Sequence, residues 1–462
     1  MTGGIVGREP NHRLAALMAE AGASNKGLAR RVQGVASRHG AHVGTTHVAV
    51  QRWLDGSGIQ AETAAYLAEA LAEKLGRRIT PRDLGFPEAT VRPAATGASY
   101  ATSLAEALGV LDGLTQLRPE DSSSVTELPH DGEINTAVLS WLVSRPDGLP
   151  ADGGGSRRVG MRDVAAVRTA AEMFMRLDFL YGGGHGHRAL RHYFRHEVLP
   201  LLSGGYSERV GTALFSAAAE IAQLLAWTAY DSGNHHLAAR YLLSTLRLTQ
   251  VTGDRMTGSR ILANMSHQAN YLGQAPRATR LARAAVEGGG HGRATPRAMA
   301  LFAAHEARAL ATGQNPGGAR RAMREAESYF DRAETADDPA WLAYVDEAEL
   351  AGEFSHCFRD LGESALAVSY AERAVRLTDP KYARTLGFCR LVLAQSLLRD
   401  GQLEAAVTTA GSAMAQGDAL QSARFQRYVT DFRREVAPHA TNPAVRRFNE
   451  LVRVALADLD DE

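Results

Sequence analysis

Lysine and cysteine are both scarce in this chain. Its only lysines are Lys26, Lys74 and Lys381, so nearly all of the 51 basic side chains are arginines. The two cysteines, Cys357 and Cys389, are too few for a disulfide framework, and we expect them to be buried thiols in a reducing compartment. Their scarcity excludes the small disulfide-stapled class of secreted protein.

Net charge and long apolar runs are absent as well. The 51 basic side chains are balanced by 51 acidic ones, which excludes a polybasic nucleic-acid binder. Residues 1–90 nevertheless hold 11 basic against 8 acidic side chains, a local excess that is compatible with DNA contact. No apolar run reaches ~18 residues and the first 13 residues lack a signal sequence, so we expect a cytoplasmic protein with no membrane segment.

Catalytic motifs are missing from the sequence. We find no nucleophile elbow, phosphate loop or paired catalytic carboxylates, which predicts a protein that is not an enzyme and needs no cofactor. Four histidines cluster in one stretch, and two of them have the i, i+4 spacing that lets imidazoles share a metal ion: His185, His187, His192 and His196. The carboxylate that orients such ligands is only loosely present as Glu197. We therefore predict structural histidines and no metal, with a metal ion or a partner patch as the alternatives.

A repeat organises the C-terminal half. Five glycines are separated by 40, 40, 49 and 39 residues: Gly233, Gly273, Gly313, Gly362 and Gly401. Alanines follow them at +5, +5, +6, +5 and +5, namely Ala238, Ala278, Ala319, Ala367 and Ala406. A fixed period of this size predicts stacked helical hairpins, with each glycine in the turn and each alanine where paired helices touch.

The hairpins can be bounded from the sequence. We predict helix pairs at 208–231 with 234–250, 255–272 with 275–287, 295–312 with 317–334, 341–361 with 363–377, and 382–399 with 402–416, capped by 418–436 and 442–459. The Gly-x4-Ala element resembles tetratricopeptide repeats, although a period near 40 exceeds the family's length of about 34 residues. The resemblance implies an α-solenoid with a concave surface lined by first helices.

Residues 1–86 carry a different pattern. Apolar residues at helical spacing predict four helices, at 11–22, 24–40, 46–56 and 61–76, and a closing turn at 80–84. Leu28-Ala29 and Trp53-Leu-Asp-Gly56 resemble the second helix and third-helix end of repressor-type helix-turn-helix domains. Leu28 to Trp53 is roughly ten residues longer than is usual there, so the turn between the two helices is enlarged.

That resemblance implies binding of double-stranded DNA. The third helix would read base edges while cations of the second helix meet phosphates. The candidate readers of base edges are Thr46, His47, Gln51 and Arg52, and Thr45 or Thr46 would cap the third helix. The candidate phosphate contacts are Lys26, Arg30 and Arg31.

The middle of the chain is less regular. We assign 87–160 to a linker that holds one amphipathic helix at 101–117, which covers the repeats or pairs subunits, and flexible loops within 118–160. Residues 135–144 are read as a strand or a short helical piece. A long amphipathic helix follows from 161, and the solenoid domain extends from 161 to 462.

Polar and aromatic residues recur on the first helices of the repeats. These predict ligand contacts in the groove: Trp227, Tyr230, Asn264, Gln268, Tyr271, His305, Tyr344, Glu347, His356 and Arg384. Together the all-α architecture resembles peptide-sensing regulators of Gram-positive bacteria and, more closely, actinobacterial repeat-containing regulators. The resemblance implies a homodimeric transcription regulator with a peptide or small-molecule effector. An adaptor that binds proteins through the repeat groove, without binding DNA, is the alternative.

Overall fold

A computed structural model describes residues 10–38, 43–77, 79, 81, 83–86, 91–92, 100–117, 128–150, 157–292, 294–417 and 421–460. The chain forms two compact units, Met1–Thr96 and Gly97–Glu462. Several parts of the predicted linker at 87–160 lie outside the described residues, namely 87–90, 93–99, 118–127 and 151–156, as do residues 80 and 82 of the predicted closing turn.

The first unit contains four helices, α1 (His12–Glu20), α2 (Asn25–Arg38), α3 (His47–Leu54) and α4 (Ala61–Leu75). A two-residue strand β1 (Ile59–Gln60) pairs in parallel with β2 (Val91–Arg92). The helices surround an apolar core of fully buried side chains that includes Leu14, Leu28, Val50 and Leu67. Each of these residues lies on the apolar face of its own helix, which is why the four helices pack together.

The enlarged turn between α2 and α3 is partly helix. Of the extra residues, those up to Arg38 lengthen α2, and Val35 and Ala36 on that extension are fully buried. The amide of Gln33 donates to the Thr45 carbonyl over 2.7 Å, which holds the residues before α3 against α2. Thr46 then caps α3 by accepting a hydrogen bond from the Ala49 amide at 3.3 Å.

The second unit is helical. Its helices are α5 (Leu104–Gln116), α6 (Asp131–Val143), α7 (Met161–Tyr181), α8 (Gly183–Tyr193), α9 (Leu199–Leu202), α10 (Glu208–Asp231), α11 (His235–Thr252), α12 (Arg255–Tyr271), α13 (Ala275–His291), α14 (Pro296–Thr312), α15 (Pro316–Phe330), α16 (Glu347–Asp360), α17 (Ser364–Leu377), α18 (Ala383–Arg399), α19 (Leu403–Gly417), α20 (Ala423–Glu435) and α21 (Pro443–Asp460). A π-helical turn joins α8 to α9 at Phe194–Val198. Helices α10 to α19 pack as five consecutive hairpins, so the predicted solenoid of adjacent helix pairs is confirmed.

The repeat glycines and alanines have the predicted roles. Gly233, Gly273, Gly362 and Gly401 have φ values of 83°, 74°, 76° and 83°, a region that a side chain disfavours. All five repeat alanines are fully buried where the paired helices meet. A larger side chain at those positions would force the two helices apart.

Gly313 departs from this pattern. Its φ is −75°, and the left-handed residue of that turn is Gln314, at φ 55°. Counted from Gln314, the buried Ala319 lies at +5, as in the other repeats. The turn has therefore moved one residue along the chain, which accounts for the irregular +6 spacing. The Gln314 amide donates to the Asp360 carbonyl over 2.7 Å, and this bond offsets some of the strain.

The 49-residue spacing reflects an insertion between α15 and α16. It holds two 3-10 turns, Thr335–Asp337 and Ala340–Leu342, so α16 begins at Glu347 and not at the predicted 341. Trp341 of this insertion is 4% exposed and belongs to the main core. The inserted residues thus fold inward against the first helices.

Helices α5 and α6 belong to the solenoid unit, although the sequence assigns them to a linker. Helix α5 packs on α11, and α6 packs on α11 and α13. The indole of Trp141 on α6 donates to the Thr249 hydroxyl over 2.9 Å and lies against Gly258 and Gly288. Residues 135–144 are accordingly helical, and α5 covers the repeats.

One described helix, α10, is long and apolar enough to cross a membrane. Within its most apolar window, 67% is buried inside the protein. Because its neighbours are α7, α8 and α11, it is a core helix of the solenoid.

The left-handed turn gives a paired stability test within one hairpin. We expect Gly401→Ala to destabilise the solenoid by about 1 kcal/mol, because a Cβ disfavours its φ. Gly411→Ala, in α19, should stabilise it by about 0.5 kcal/mol, because alanine loses less backbone entropy in a helix. Neither added Cβ meets another atom within 4 Å. Thermal unfolding midpoints check this, and equal shifts of both variants would contradict the assigned turn.

Candidate functional site

The first helices of all five hairpins line one cavity, together with α7, α20 and the insertion before α16. Its volume is about 150 Å³. We call it the central cavity. Six of the ten predicted ligand contacts line it: Trp227, Asn264, His305, Tyr344, His356 and Arg384.

The other four predicted contacts lie elsewhere. Tyr230 is buried behind the cavity wall, where its hydroxyl bonds to His267 over 3.0 Å. The amide of Gln268 donates to the His235 carbonyl, and Tyr271 lies under the guanidinium of Arg427 at 4.7 Å. Glu347 is exposed and forms an ion pair with Arg373 at 2.6 Å, so it points away from the cavity. Helical spacing alone did not separate the two sides of these helices.

A buried ion network closes the solenoid around the cavity. Arg384 on α18 donates to both oxygens of Asp178 on α7, over 2.9 and 2.7 Å. Asp231, at the end of α10, lies 3.4 Å from Arg384 and from Arg424 on α20. We call these four residues the closure network. Each is at least 90% buried, and they join helices about 200 residues apart in sequence.

The pKa values within the closure network reflect competition between burial and charge. Burial raises the pKa of Asp178 to about 6 in spite of Arg384, which leaves it ionised at neutral pH. Burial also opposes ionisation of Asp231, but Arg384, Arg424 and the Gly183 amide together lower its pKa. The network therefore holds two carboxylates and two guanidinium groups in charge balance.

Glycines make the same closure possible on the backbone. Gly184 donates to the Gln421 carbonyl over 3.0 Å, and the Gln421 amide donates to Tyr181 over 2.9 Å. A Cβ on Gly182 or Gly183 would lie 2.8 or 2.7 Å from a backbone carbonyl oxygen. The Gly182–Gly184 run is thus a close contact between the first and last parts of the solenoid.

A second pair lies deeper in the cavity wall. Arg308 on α14 donates to both oxygens of Glu353 on α16, over 2.8 and 3.1 Å. Burial and the nearby arginines lower the pKa of His267 and His356 far below its usual range. Burial also lowers the pKa of His305. These imidazoles are neutral at physiological pH, so they act as hydrogen-bonding groups and not as cations.

Glu349 and Arg260 face the cavity without such partners. The described residues offer neither side chain a hydrogen bond or an ion pair. Burial, Glu353 and Asp346 raise the pKa of Glu349 to about 8, so it is mostly protonated at neutral pH. Arg260 is 7% exposed and stacks on the Trp341 ring at 4.3 Å.

The predicted DNA-contacting residues lie on α2, on α3 and just before α3. Lys26, Arg30, Arg31 and Arg52 are exposed, and none forms an ion pair with another described residue. His47 is exposed as well. We call Lys26, Arg30, Arg31 and Arg52 the basic face. It presents four positive charges on neighbouring helices of the first unit, none of them paired with a carboxylate of the described residues.

Two of the predicted readers have structural partners. Gln51 accepts a hydrogen bond from Asn25 and donates one to Asp55, each over 2.9 Å, so its amide ties α2 to α3. Thr45 is 4% exposed and lies beneath the surface, whereas Thr46 caps α3. Thr45 therefore does not share the exposure of the other predicted contacts.

The histidine cluster is divided by its packing. His187 bonds to the Thr228 hydroxyl over 2.8 Å, and burial lowers its pKa to about 4. His192 and His196 stack with ring centroids 4.4 Å apart. Within the described residues, no group of three or more histidine, cysteine, aspartate or glutamate side chains has the arrangement of a metal site.

Both cysteines are free thiols. Burial raises the pKa of Cys357, and it raises the pKa of Cys389 to about 12. A thiol whose pKa is raised in this way is a poor nucleophile at neutral pH. Cys357 is buried and Cys389 is partly buried, so both behave as small packed side chains.

One family model matches within the first unit. Residues 14–87, under a fifth of the chain, match the family described as the SP15 N-terminal domain. No curated protein matches the chain. The family description names neither a ligand nor a nucleic acid, so the function must be argued from the geometry.

The closure network predicts a large cost for removing its shared cation. We expect Arg384→Ala to destabilise the solenoid by about 3–5 kcal/mol, because Asp178 and Asp231 would remain buried without compensation. Arg373→Ala, which breaks the exposed pair with Glu347, should cost under about 1 kcal/mol. Chemical denaturation measures the free energy of unfolding of both variants. Similar losses in the two variants would show that the solenoid does not depend on the closure network for its stability.

The protonated state of Glu349 predicts a pH dependence of stability. Its pKa rises from 4.5 when exposed to about 8 in the fold, so wild type loses stability as pH rises between these values. We expect Glu349→Gln to raise the unfolding midpoint by an amount that grows from pH 5 to pH 8 and is small at pH 4. Glu347→Gln, at an exposed position, is the control. A pH-independent difference for Glu349→Gln would contradict the assigned burial.

Proposed function

We propose that this protein is a cytoplasmic DNA-binding transcription regulator whose solenoid senses a small molecule. The observation that carries the proposal is the central cavity. Buried charges around a cavity lower the stability of the fold, and a functional role such as ligand binding accounts for their presence. A helix-turn-helix resemblance in residues 1–86 and the basic face on α2 and α3 support the DNA-binding half. The resemblance to actinobacterial regulators further implies a homodimer.

The cavity favours a small molecule over a peptide. Its volume of about 150 Å³ is below the range of about 300–1,000 Å³ that is typical of drug-sized ligands. The closure network and the Gly182–Gly184 contact also seal the concave side against an extended chain. A peptide would have to open the solenoid in order to enter.

The same closure suggests how sensing would work. A ligand that contacts α12 and α16 on one side and α18 on the other stabilises the closed arrangement of these helices. It would shift the population between open and closed solenoids only by its difference in affinity for the two states. The closure network is the element that such a ligand would bias.

The alternative, a protein adaptor that uses the repeat groove, is less well supported. An adaptor groove is open along its length, whereas α7 and α20 close this one. The basic face also has no role in an adaptor, and its cations lack counter-charges among the described residues.

DNA binding can be tested with fragmented genomic DNA from the source organism, retained by the full chain over a series of salt concentrations and then sequenced. We expect a shared motif to be retained, and Arg52→Gln to weaken its binding by at least about fivefold, since a base contact is worth about 1–3 kcal/mol. Arg77→Gln, which removes an exposed arginine paired with Glu20, is the matched control. Retention without a motif that vanishes near physiological salt would reject the regulator and favour the adaptor.

A further inference from the structure

Arg260 is the exception in a cavity whose other cations are matched. Arg384 and Arg424 face Asp178 and Asp231, and Arg308 faces Glu353. Within the described residues, no carboxylate lies in ion-pair range of Arg260. Arg260 is 93% buried as a residue, and a largely buried arginine without an anion is costly in the empty protein, because its desolvation is not repaid.

The surroundings of Arg260 hold its guanidinium in place without neutralising it. Its guanidinium carbon lies 4.3 Å from the centre of the Trp341 ring, an arrangement that fixes its plane and leaves its N–H groups available. Glu220, on α10, faces it across a second cavity of about 330 Å³ but forms no ion pair with it. Burial raises the pKa of Glu220, whereas the charges of Arg260 and Arg168 lower it, so the two groups attract each other across that cavity without a direct contact.

The remaining acidic groups do not repel an anion strongly. Asp178 and Glu353 are paired with arginines, and Glu349 is mostly protonated at neutral pH. The cavity is therefore left with one unmatched positive charge, at Arg260. Aromatic and apolar side chains form much of the remaining wall: Phe179, Leu224, Trp227, Phe388 and Val392.

We infer that the central cavity binds a compact organic acid, with its carboxylate on Arg260 and an apolar body of about one ring against Trp227 and Leu224. This inference rests on the proposed sensing function and names its ligand class. A planar guanidinium matches a carboxylate with two parallel hydrogen bonds. A cavity of about 150 Å³ is known to hold a molecule the size of benzene, which sets the size of the body.

Calorimetry of the full chain at pH 7 tests this with benzoate, phenylacetate and 3-methylbutanoate, each compared with its neutral amide. We expect at least one acid to bind with one-to-one stoichiometry and at least tenfold more tightly than its amide. Arg260→Met should reduce that affinity at least tenfold, and Arg260→Lys should reduce it less. Arg283→Met, at an exposed position on α13, should leave it unchanged.

The unliganded stability of the variants separates binding from folding. Arg260→Met should leave the unfolding midpoint at or above that of wild type, because it removes an unpaired buried cation and keeps the apolar stem. Binding by an acid should also weaken from pH 7 to pH 9 as Glu349 ionises beside Glu353 and Asp346, with Arg308 and Arg384 opposite. Glu349→Gln should remove that pH dependence.

Three results would overturn the inference: no acid binds, the amides bind as well as the acids, or Arg260→Met binds as tightly as wild type. Failure of the proposed function gives a different result. An acid that binds through Arg260 but does not alter DNA retention would contradict the regulator and leave the acid site intact. Specific DNA retention with no acid binding would contradict the acid site and leave the proposed regulator intact.

Discussion

The solenoid depends on a few buried charges that join its first and last helices. A stack of hairpins needs only contacts between neighbours, and such a stack is open along one side. Here Asp178 and Asp231, from α7 and α10, share Arg384 and Arg424, from α18 and α20. Buried ion pairs tolerate little misplacement, since desolvation is repaid only at good geometry. The network therefore selects one closed arrangement, and the central cavity exists because of it.

Closure explains why the first helices carry so many polar side chains. In an open groove these residues would be solvated and their charges screened. Inside the closed solenoid each needs a specific partner: Arg308 has Glu353, Arg424 stacks on Tyr230 at 4.6 Å, and the imidazoles lose their protons. Glu349 keeps its proton for the same reason. A cavity built in this way is lined by buried polar side chains, which suits recognition of a small charged molecule.

The repeat part of this structure could be predicted from sequence because its signals are local. A left-handed turn and a close helix contact recur at a fixed distance, so Gly233 and Ala238 identify one hairpin and their repeats identify the rest. Even the shift from Gly313 to Gln314 is visible as the +6 spacing. Closure of the solenoid could not be predicted in this way, because no repeat in the sequence relates Asp178 to Arg384. One signal was present: Asp178 continues the buried stripe of Val164, Val167 and Ala171 on α7, and a carboxylate on an apolar face requires a buried partner.

The residues of the central cavity were also predicted only in part, according to whether their signal in the sequence is local. Helical spacing identified which helices face the cavity, and so it found Asn264 and Arg384, but it missed Arg260, one turn before Asn264 on the same face of α12. Arginine on a solenoid helix is normally a solvated residue, and the inserted Trp341 covers this one. The insertion supplies Tyr344 to the central cavity and Trp341 to the second cavity, and Arg260 lines both. If the solenoid served only as a scaffold, an unpaired buried guanidinium would be a pure cost, and replacing it with an apolar residue would be favourable. Its presence beside a cavity is therefore better explained by an anion that binds there than by folding.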